Sequence, residues 1–426
     1  MMRPGLLPVL LHAAAISALL VPVPVSLAAQ GEPGPSRPRG RDLGIPFDGA
    51  PGRQNAITDV AGVEVGHVTL VSGEGPLVQG KGPVRTGITA ILPRGRASGA
   101  PVFGGWFSLN GNGEMTGTTW LEESGVLEGP VLITNTHSVG VVRDATIQWM
   151  LQHRPDFQWA LPVVAETYDG VLNDINGFHV TPAHVFAALD GARGGPVTEG
   201  AVGGGTGMLC NGFKGGIGTS SRLLPPESGG YSLGVLVQCN YGSRRGLRIA
   251  GVPVGQELVE PAVCVAGSKP PSRDWLRDMP RCGTRNSHLE RPEPELGSII
   301  IVIATDAPLL PHQLQRLVKR ASLGLGREGS ISSTFSGDIF LAFSTANSGL
   351  AADSVRVRLD MIPNERLDPL FTATVQATEE AVTNAMLAAV TMTGADSIRA
   401  HSLPHDRLVA ILRKYNRLEV VRGIRR

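Results

Sequence analysis

What this chain of 426 residues lacks narrows its function first. Net charge is +1, from 38 basic and 37 acidic side chains, so no strong field points to nucleic acid or an acidic membrane surface. Only four cysteines occur, Cys210, Cys239, Cys264 and Cys282, and no two form a CxxC pair, which argues against a zinc ribbon. The ten histidines contain no HExxH. His401 and His405 are split by Pro404, so they do not share an ordinary helix face as zinc-peptidase ligands would. Beyond the first thirty residues no apolar run is long enough to cross a bilayer. The stretch GGGTG at Gly203–Gly207 lacks the GK[ST] ending of a nucleotide loop and the GxGxxG spacing, and reads as a tight structural turn. Aromatics make up 5%, against 55 glycines. That mixture fits many tight turns and close backbone contacts, with 42% hydrophobic residues to build a core.

The N-terminus differs from the rest. Arg3 supplies a positive start, Leu6 to Leu20 is nearly all apolar, and small residues follow to Ala28-Ala29-Gln30. This is the layout of a cleavable export signal over residues 1–29. Pro8 and His12 interrupt the run, which is short for a membrane anchor. A Pro/Gly/Arg-rich linker is expected over 30–46, and the protein is expected to be secreted or periplasmic. Export would place the cysteines in an oxidising compartment. Cys264 and Cys282 flank a Pro- and Arg-rich segment and could close it as a disulfide, although spacing leaves the connectivity open, including four free cysteines.

Along the chain, strands are expected within 59–70, at 86–92, 131–136, 161–165, 231–238 and 338–344. Helices are expected at 138–153, from Thr181-Pro182 onward, at 311–321 with Gly324 as a stop, at 373–392 and at 404–414. Strands alternating with a few helices make the class α/β or α+β, with two layers of sheet. Residues 268–295, rich in Pro, Arg and Glu, read as an exposed loop. That loop ends at Gly297-Ser298, where Ile299 to Ile303 begin a fully buried strand.

Four Gly-Ser dipeptides occur, at 242, 267, 297 and 329, and a Gly-Ser pair is ordinarily just a turn. Only Gly297-Ser298 lies where a polar loop meets a buried β-branched strand. Glycine there can hold a backbone conformation closed to other residues, and the serine hydroxyl can attack its own preceding carbonyl. Cleavage would leave Ser298 with a free α-amine, whose ordinary pKa is about 7.7–8.0, close enough to neutrality to take the hydroxyl proton without a histidine. Ser298 precedes a strand and lacks the second glycine of GxSxG, so it does not fit a nucleophile elbow.

The runs GSIIIVIATDAPLLPHQLQRL, SGDIFLAFST and VQCNYG, with ETYDG-LND at Glu166–Asp174, GGGTGM at Gly203–Met208 and GFKGGIGTSSR at Gly212–Arg222, resemble the DmpA/BapA-type aminopeptidases. These are the L-aminopeptidase/D-esterase-amidases and β-aminopeptidases, and the likeness spans about Phe47 to Lys414. The resemblance implies an αββα sandwich of the kind shared with ornithine acetyltransferases, and one self-processing domain over 47–426, cut into an α part ending at Gly297 and a β part over 298–426. It implies no cofactor, no metal, and a homotetramer of α/β pairs. By position Ser298 matches the nucleophile and Asn240 the side-chain amide that holds the oxyanion. Ser336 and Asp338 match groups hydrogen-bonded around the nucleophile and its amine. Tyr168 matches a tyrosine lining the site, and Glu166 an acceptor for the free amine of a peptide, amide or ester substrate. Without the resemblance, Asn240 reads as a turn residue, Ser336 and Asp338 as a loop before a strand, and Glu166 and Tyr168 as strand-end packing.

Two departures from the family pattern stand out. The 264–295 insertion is long, and Asp338 stands where some β-peptide-cleaving members carry Glu. The alternatives are an ornithine acetyltransferase-like acyl transferase, which would cut before Thr and is not normally exported, and an exported binding protein that kept the fold and lost the chemistry.

Overall fold

The computed structural model describes residues 37–154, 159–284, 295, 297–351 and 355–419. The signal segment and part of the insertion, 285–294, therefore lie outside the described residues. Ten principal strands form two sheets. The first sheet contains β1 (Glu64–Ser72), β2 (Val84–Leu92), β5 (Val131–Asn135) and β6 (Val163–Thr167), in the order β1-β2-β5-β6. The second adds β3 (Val102–Ser108), β4 (Val126–Leu127), β7 (Gly216–Leu223), β8 (Ser232–Asn240), β9 (Gly297–Thr305) and β10 (Ser336–Ser344), in the order β4-β3-β10-β9-β8-β7. Pairing is antiparallel except between β5 and β6 and between β9 and β10.

The apolar run of β9 explains the layering. Successive strand side chains point to opposite faces. Ile300, Val302 and Ala304 join Ile91, Ile133 and Ala165 of the first sheet in one core. Ile299, Ile301 and Ile303 pack instead with α3 (Pro311–Val318), α4 (Ala321–Arg327) and α5 (Asp368–Ala388). On the outer face of the first sheet, Ile88, Ala90, Leu132 and Val164 meet α1 (Val139–His153) and α2 (Pro182–Asp190). The result is the expected αββα sandwich, with β9 buried on both faces.

Several boundaries differ from the sequence reading. Helix α5 begins at Asp368, with Pro369 in its first turn, and ends at Ala388 because Ala389 is already extended. Gly324 lies inside α4 rather than stopping α3: a Cβ there would come within 2.6 Å of Thr378 Cβ on α5, so the glycine serves close helix approach. The latter part of the expected linker, 37–46, is packed onto the domain. Arg39 pairs with Glu199 at 2.8 Å, Arg41 with the buried Glu380 at 3.0 Å, and Ile45 is buried, so three apparent linker residues have fixed partners. The insertion is also more than a loop. Cys264–Val265 pairs antiparallel with Ile398-Arg399, Leu276 is buried, and Cys264 is joined to Cys282. A second disulfide links Cys210 to Cys239.

Candidate active site

Strand β9 brings Ser298 to the middle of the second sheet. Its register sets Ser298 opposite Asn240 on β8 and beside Gly337 on β10. Gly297, Ser298, Asn240, Ser336 and Asp338 thus all lie within strands, because the β-ladders extend past the apolar runs that mark them in sequence. Gly297 has φ +100°, a region that side-chain-bearing residues rarely enter, and a Cβ on it would lie 1.9 Å from the Asn240 carbonyl oxygen. Only glycine can occupy this position without strain, as the sequence reading of the junction expects.

The Ser298 hydroxyl is buried and accepts the Gly337 N–H at 3.2 Å. Ser336 donates its hydroxyl to Asp338 Oδ1 at 2.6 Å. Asp338 also faces the Ser332 hydroxyl and the N–H of Ile299, one residue along from the nitrogen that cleavage would free, and burial pushes its carboxyl up from the ordinary range. Asn110, in the Gly/Asn-rich loop after β3, accepts the Asp338 N–H at 2.8 Å and donates to the Ser332 and Ser333 carbonyls. Just upstream of the bond, Glu295 accepts the Ile331 N–H at 2.9 Å and the Ser330 hydroxyl, fastening this end of the chain to the 330–333 loop.

Asn240 is held at both ends of its amide. Its Oδ1 accepts the Leu209 N–H at 2.8 Å and its Nδ2 donates to the Tyr168 carbonyl at 3.0 Å. These contacts settle which end of the amide is nitrogen, and among the described residues they leave the second N–H of Nδ2 uncommitted. Tyr168 touches Asn240 through its backbone carbonyl, while its phenol ring is 39% exposed and lies 6.5 Å from the ring of Trp275 in the insertion. The insertion reaches this rim because Arg273 pairs with Asp396 at 3.1 Å and donates to the Val171 carbonyl at 3.0 Å.

Glu166, at the end of β6, is buried and accepts the Glu114 N–H at 3.0 Å and the Thr136 hydroxyl. Burial raises its pKa, against the lowering effect of those hydrogen bonds. Gly113 lies between Glu166 and Gly337, so the carboxylate stands across the 110–113 loop from β10 at the residue paired with Ser298. Sequence reasoning missed Gly337, Asn110, Leu209 and Glu295. The Asn/Gly density of the loop after β3 was its one visible signal.

Among the described residues, one cluster gathers metal-ligating atoms, Cys264, Cys282 and His401. The two sulfurs are bonded to each other, which leaves the His401 ring, 3.4 Å from Cys264 Sγ, as its one uncommitted ligand.

The model of peptidase family S58 matches residues 55–400. The chain belongs to that family. It is 56% identical over 382 residues to the β-peptidyl aminopeptidase BapA of Sphingosinicella microcystinivorans, covering 89% of this chain and 93% of that one. The BapA of Sphingosinicella xenopeptidilytica is 46% identical over 405 residues, 93% and 95% of the two chains. Among solved structures, the L-aminopeptidase D-Ala-esterase/amidase of Ochrobactrum anthropi, described as a new variant among the Ntn hydrolase fold, superposes with a TM-score of 0.78 at 46% identity. That match covers 90% of this chain and 100% of that one. A Burkholderia sp. β-aminopeptidase gives 0.77 at 45% identity, over 88% and 99%. The family expected from the motifs is thus the family of the chain, and the αββα layering agrees with the fold of its neighbours.

Proposed function

We propose that this S58 peptidase cuts its own Gly297–Ser298 bond and that the freed Ser298 then performs its hydrolysis. The enzyme is a serine aminopeptidase of the N-terminal-nucleophile type. The observation that carries the residue assignment is the placement of Ser298 after a positive-φ glycine that no other residue could replace without strain, and between Asn240 and Gly337. In self-cleavage, Ser298 Oγ attacks the Gly297 carbonyl, the acyl group moves from nitrogen to oxygen, and water hydrolyses the ester. The products are a Gly297 carboxylate and the Ser298 α-amine.

In turnover, the α-amine takes the hydroxyl proton as Oγ attacks the substrate carbonyl. The uncommitted N–H of Asn240 meets the negative charge that develops on the carbonyl oxygen. The resulting ammonium passes its proton to the departing amine, and water then releases the acyl group from Ser298. Asp338, oriented by Ser336 and Asn110, holds the amine of Ser298 in place. Glu166 receives the substrate's own amino group, which confines hydrolysis to the N-terminal residue, and Tyr168 lines the entrance.

The substrates are peptides and amides beginning with a β-amino acid, a reading supported by the names of the two BapA relatives. The Asp338 of this chain does not oppose it, since the carboxylate acts on the Ser298 side of the site. Export to the periplasm or beyond is supported by the N-terminal signal pattern and by two disulfides. Assembly as a tetramer of cut pairs follows from the resemblance to the family, and exposed apolar side chains such as Phe178, Ile331 and Phe335 are compatible with such contacts.

A denaturing gel with fragment masses tests the mechanism: two pieces are expected, the second starting at Ser298, and Ser298→Ala should stay whole and inactive. Hydrolysis by uncut protein, or by that variant, would sink it. A panel of anilides with β, α-L and α-D residues tests the substrate, and failure to release any β residue overturns that part.

A further inference from the structure

The two peptide planes that grip Asn240 are themselves gripped by a pair of buried, oppositely charged residues. The Leu209 N–H that binds Asn240 Oδ1 shares a rigid peptide unit with the Met208 carbonyl. Lys214 Nζ donates to that carbonyl at 2.7 Å, and to the Gly215 and Gly205 carbonyls at 2.8 and 3.3 Å, so all three ammonium protons have acceptors. The Tyr168 carbonyl that binds Asn240 Nδ2 shares its peptide unit with the Asp169 nitrogen, and Asp169 is itself fixed, its carbonyl accepting the N–H groups of Leu172 and Asn173 at 3.1 Å each. Asp169 also accepts Asn173 Nδ2 at 3.0 Å and draws on the side chains of Thr86 and Asn135.

Lys214 and Asp169 are both fully buried, and each lies outside the groups that touch the reacting atoms. Keeping such residues in a core is costly unless their partners are fixed, so their presence here calls for a reason. Burial drives the lysine down to about 7 and the aspartate up to about 7, while the charge of Asp169 favours the ammonium. The Cys210–Cys239 disulfide, between the neighbours of Leu209 and Asn240, ties the same two segments together.

We propose that Lys214 and Asp169 are positioning residues for Asn240, Lys214 holding the far end of the Met208–Leu209 peptide unit and Asp169, anchored through Asn173, fixing the residue that closes the Tyr168–Asp169 unit, so that the second amide N–H of Asn240 aims at the oxyanion. The physical basis is that a donor fixed before the reaction stabilises developing charge without reorganising, whereas one that rotates does not. Hydrogen bonds in series also polarise one another, so the lysine charge strengthens the Leu209 N–H that orients the amide. The proposal rests on the assignment of Asn240 as oxyanion donor.

The test is a double-mutant cycle on cut, purified enzyme with an amino-acid p-nitroanilide, kcat and KM being measured separately. Asn240→Ala is expected to lower kcat by about 10²–10³. Lys214→Met should lower kcat about tenfold with KM unchanged, since a misaimed donor forfeits part of that factor. Placed on Asn240→Ala, Lys214→Met should have no further effect. Asp169→Asn, nearly the same shape, should follow the same pattern and provides the cycle if Lys214→Met fails to fold. Where a variant does not finish cutting itself, the cycle is read on the rate at which the fragment starting at Ser298 appears. An unchanged kcat in both Lys214→Met and Asp169→Asn, or an equal loss with and without Asn240, overturns the proposal while leaving Asn240 its role. A normal kcat in Asn240→Ala overturns the assignment of Asn240 and the proposal with it.

Discussion

Gly297 sits so close to Asn240 that a Cβ on the glycine would lie 1.9 Å from the asparagine's carbonyl oxygen. The residue before the cut and the residue assigned to the oxyanion are therefore packed backbone to backbone across adjacent strands. The same strand register that aligns Asn240 with Ser298 also leaves no room for a side chain at the residue before the cut.

Gly297→Ala should leave the precursor uncut or cut it at least tenfold more slowly. The new methyl group meets backbone rather than a movable side chain, and φ near +100° is strained for alanine. The measurement is the time course of fragment appearance after refolding or expression, and cutting at the wild-type rate would refute the argument.

Glu295→Ala should slow self-cleavage while sparing turnover once cut. Its carboxylate binds the Ile331 N–H and the Ser330 hydroxyl, so its loss frees the chain just upstream of Gly297. The expected effect is a precursor lifetime longer by about ten- to a hundredfold, as for a lost charged hydrogen bond of about 1.5–3 kcal/mol. Equal lifetimes on a gel would count against it.

The pH dependence of substrate affinity should report Glu166. Burial, aided by the nearby Glu114, raises its pKa, while Thr136, the Glu114 N–H and His137 pull it down, and the net shift is upward. The carboxylate must be ionised to bind a substrate ammonium. KM should therefore rise as pH falls through a value above the ordinary Glu range, with the binding gained as pH rises through it. In Glu166→Gln this acid limb should vanish, with KM raised above the Glu166 pKa and close to the wild-type low-pH value below it. A KM limb retained in that variant would assign it to another group.

Gly324→Val should destabilise the fold by about 1–3 kcal/mol, the usual cost of overpacking a filled interior. The branched side chain would enter the space held by Thr378 on α5. Thermal unfolding checks this, and an unchanged melting temperature would show that α4 and α5 separate freely.

Much of the fold was legible in the chain itself. Ile299 to Ile303 announce a strand buried on both faces, because a run of β-branched residues has no side to offer water. The helix starting at Thr181-Pro182 was readable for a similarly local reason, since Pro suits the first helical turn. What stayed hidden were the ends of strands. Ser336 and Asp338 read as a loop before a strand, Asn240 as a turn residue and Glu166 as strand-end packing, yet the ladders run through them. Polar residues at strand ends break the apolar pattern on which the sequence reading depends, and here they are polar because they form the site.

The sequence by itself determined that Gly297-Ser298 precedes a buried strand, that no histidine falls at that junction to act as its base, and which family's motifs surround it. Those are local properties of residue type and order. Only the tertiary structure decided that Asn240 faces Ser298 in register, that Gly337 supplies the N–H to its hydroxyl, and that Lys214 and Asp169 stand behind the two peptide units holding Asn240. These pairings join residues far apart along the chain. Strand register and hydrogen bonds across the two sheets set them, and neither is written in any one segment.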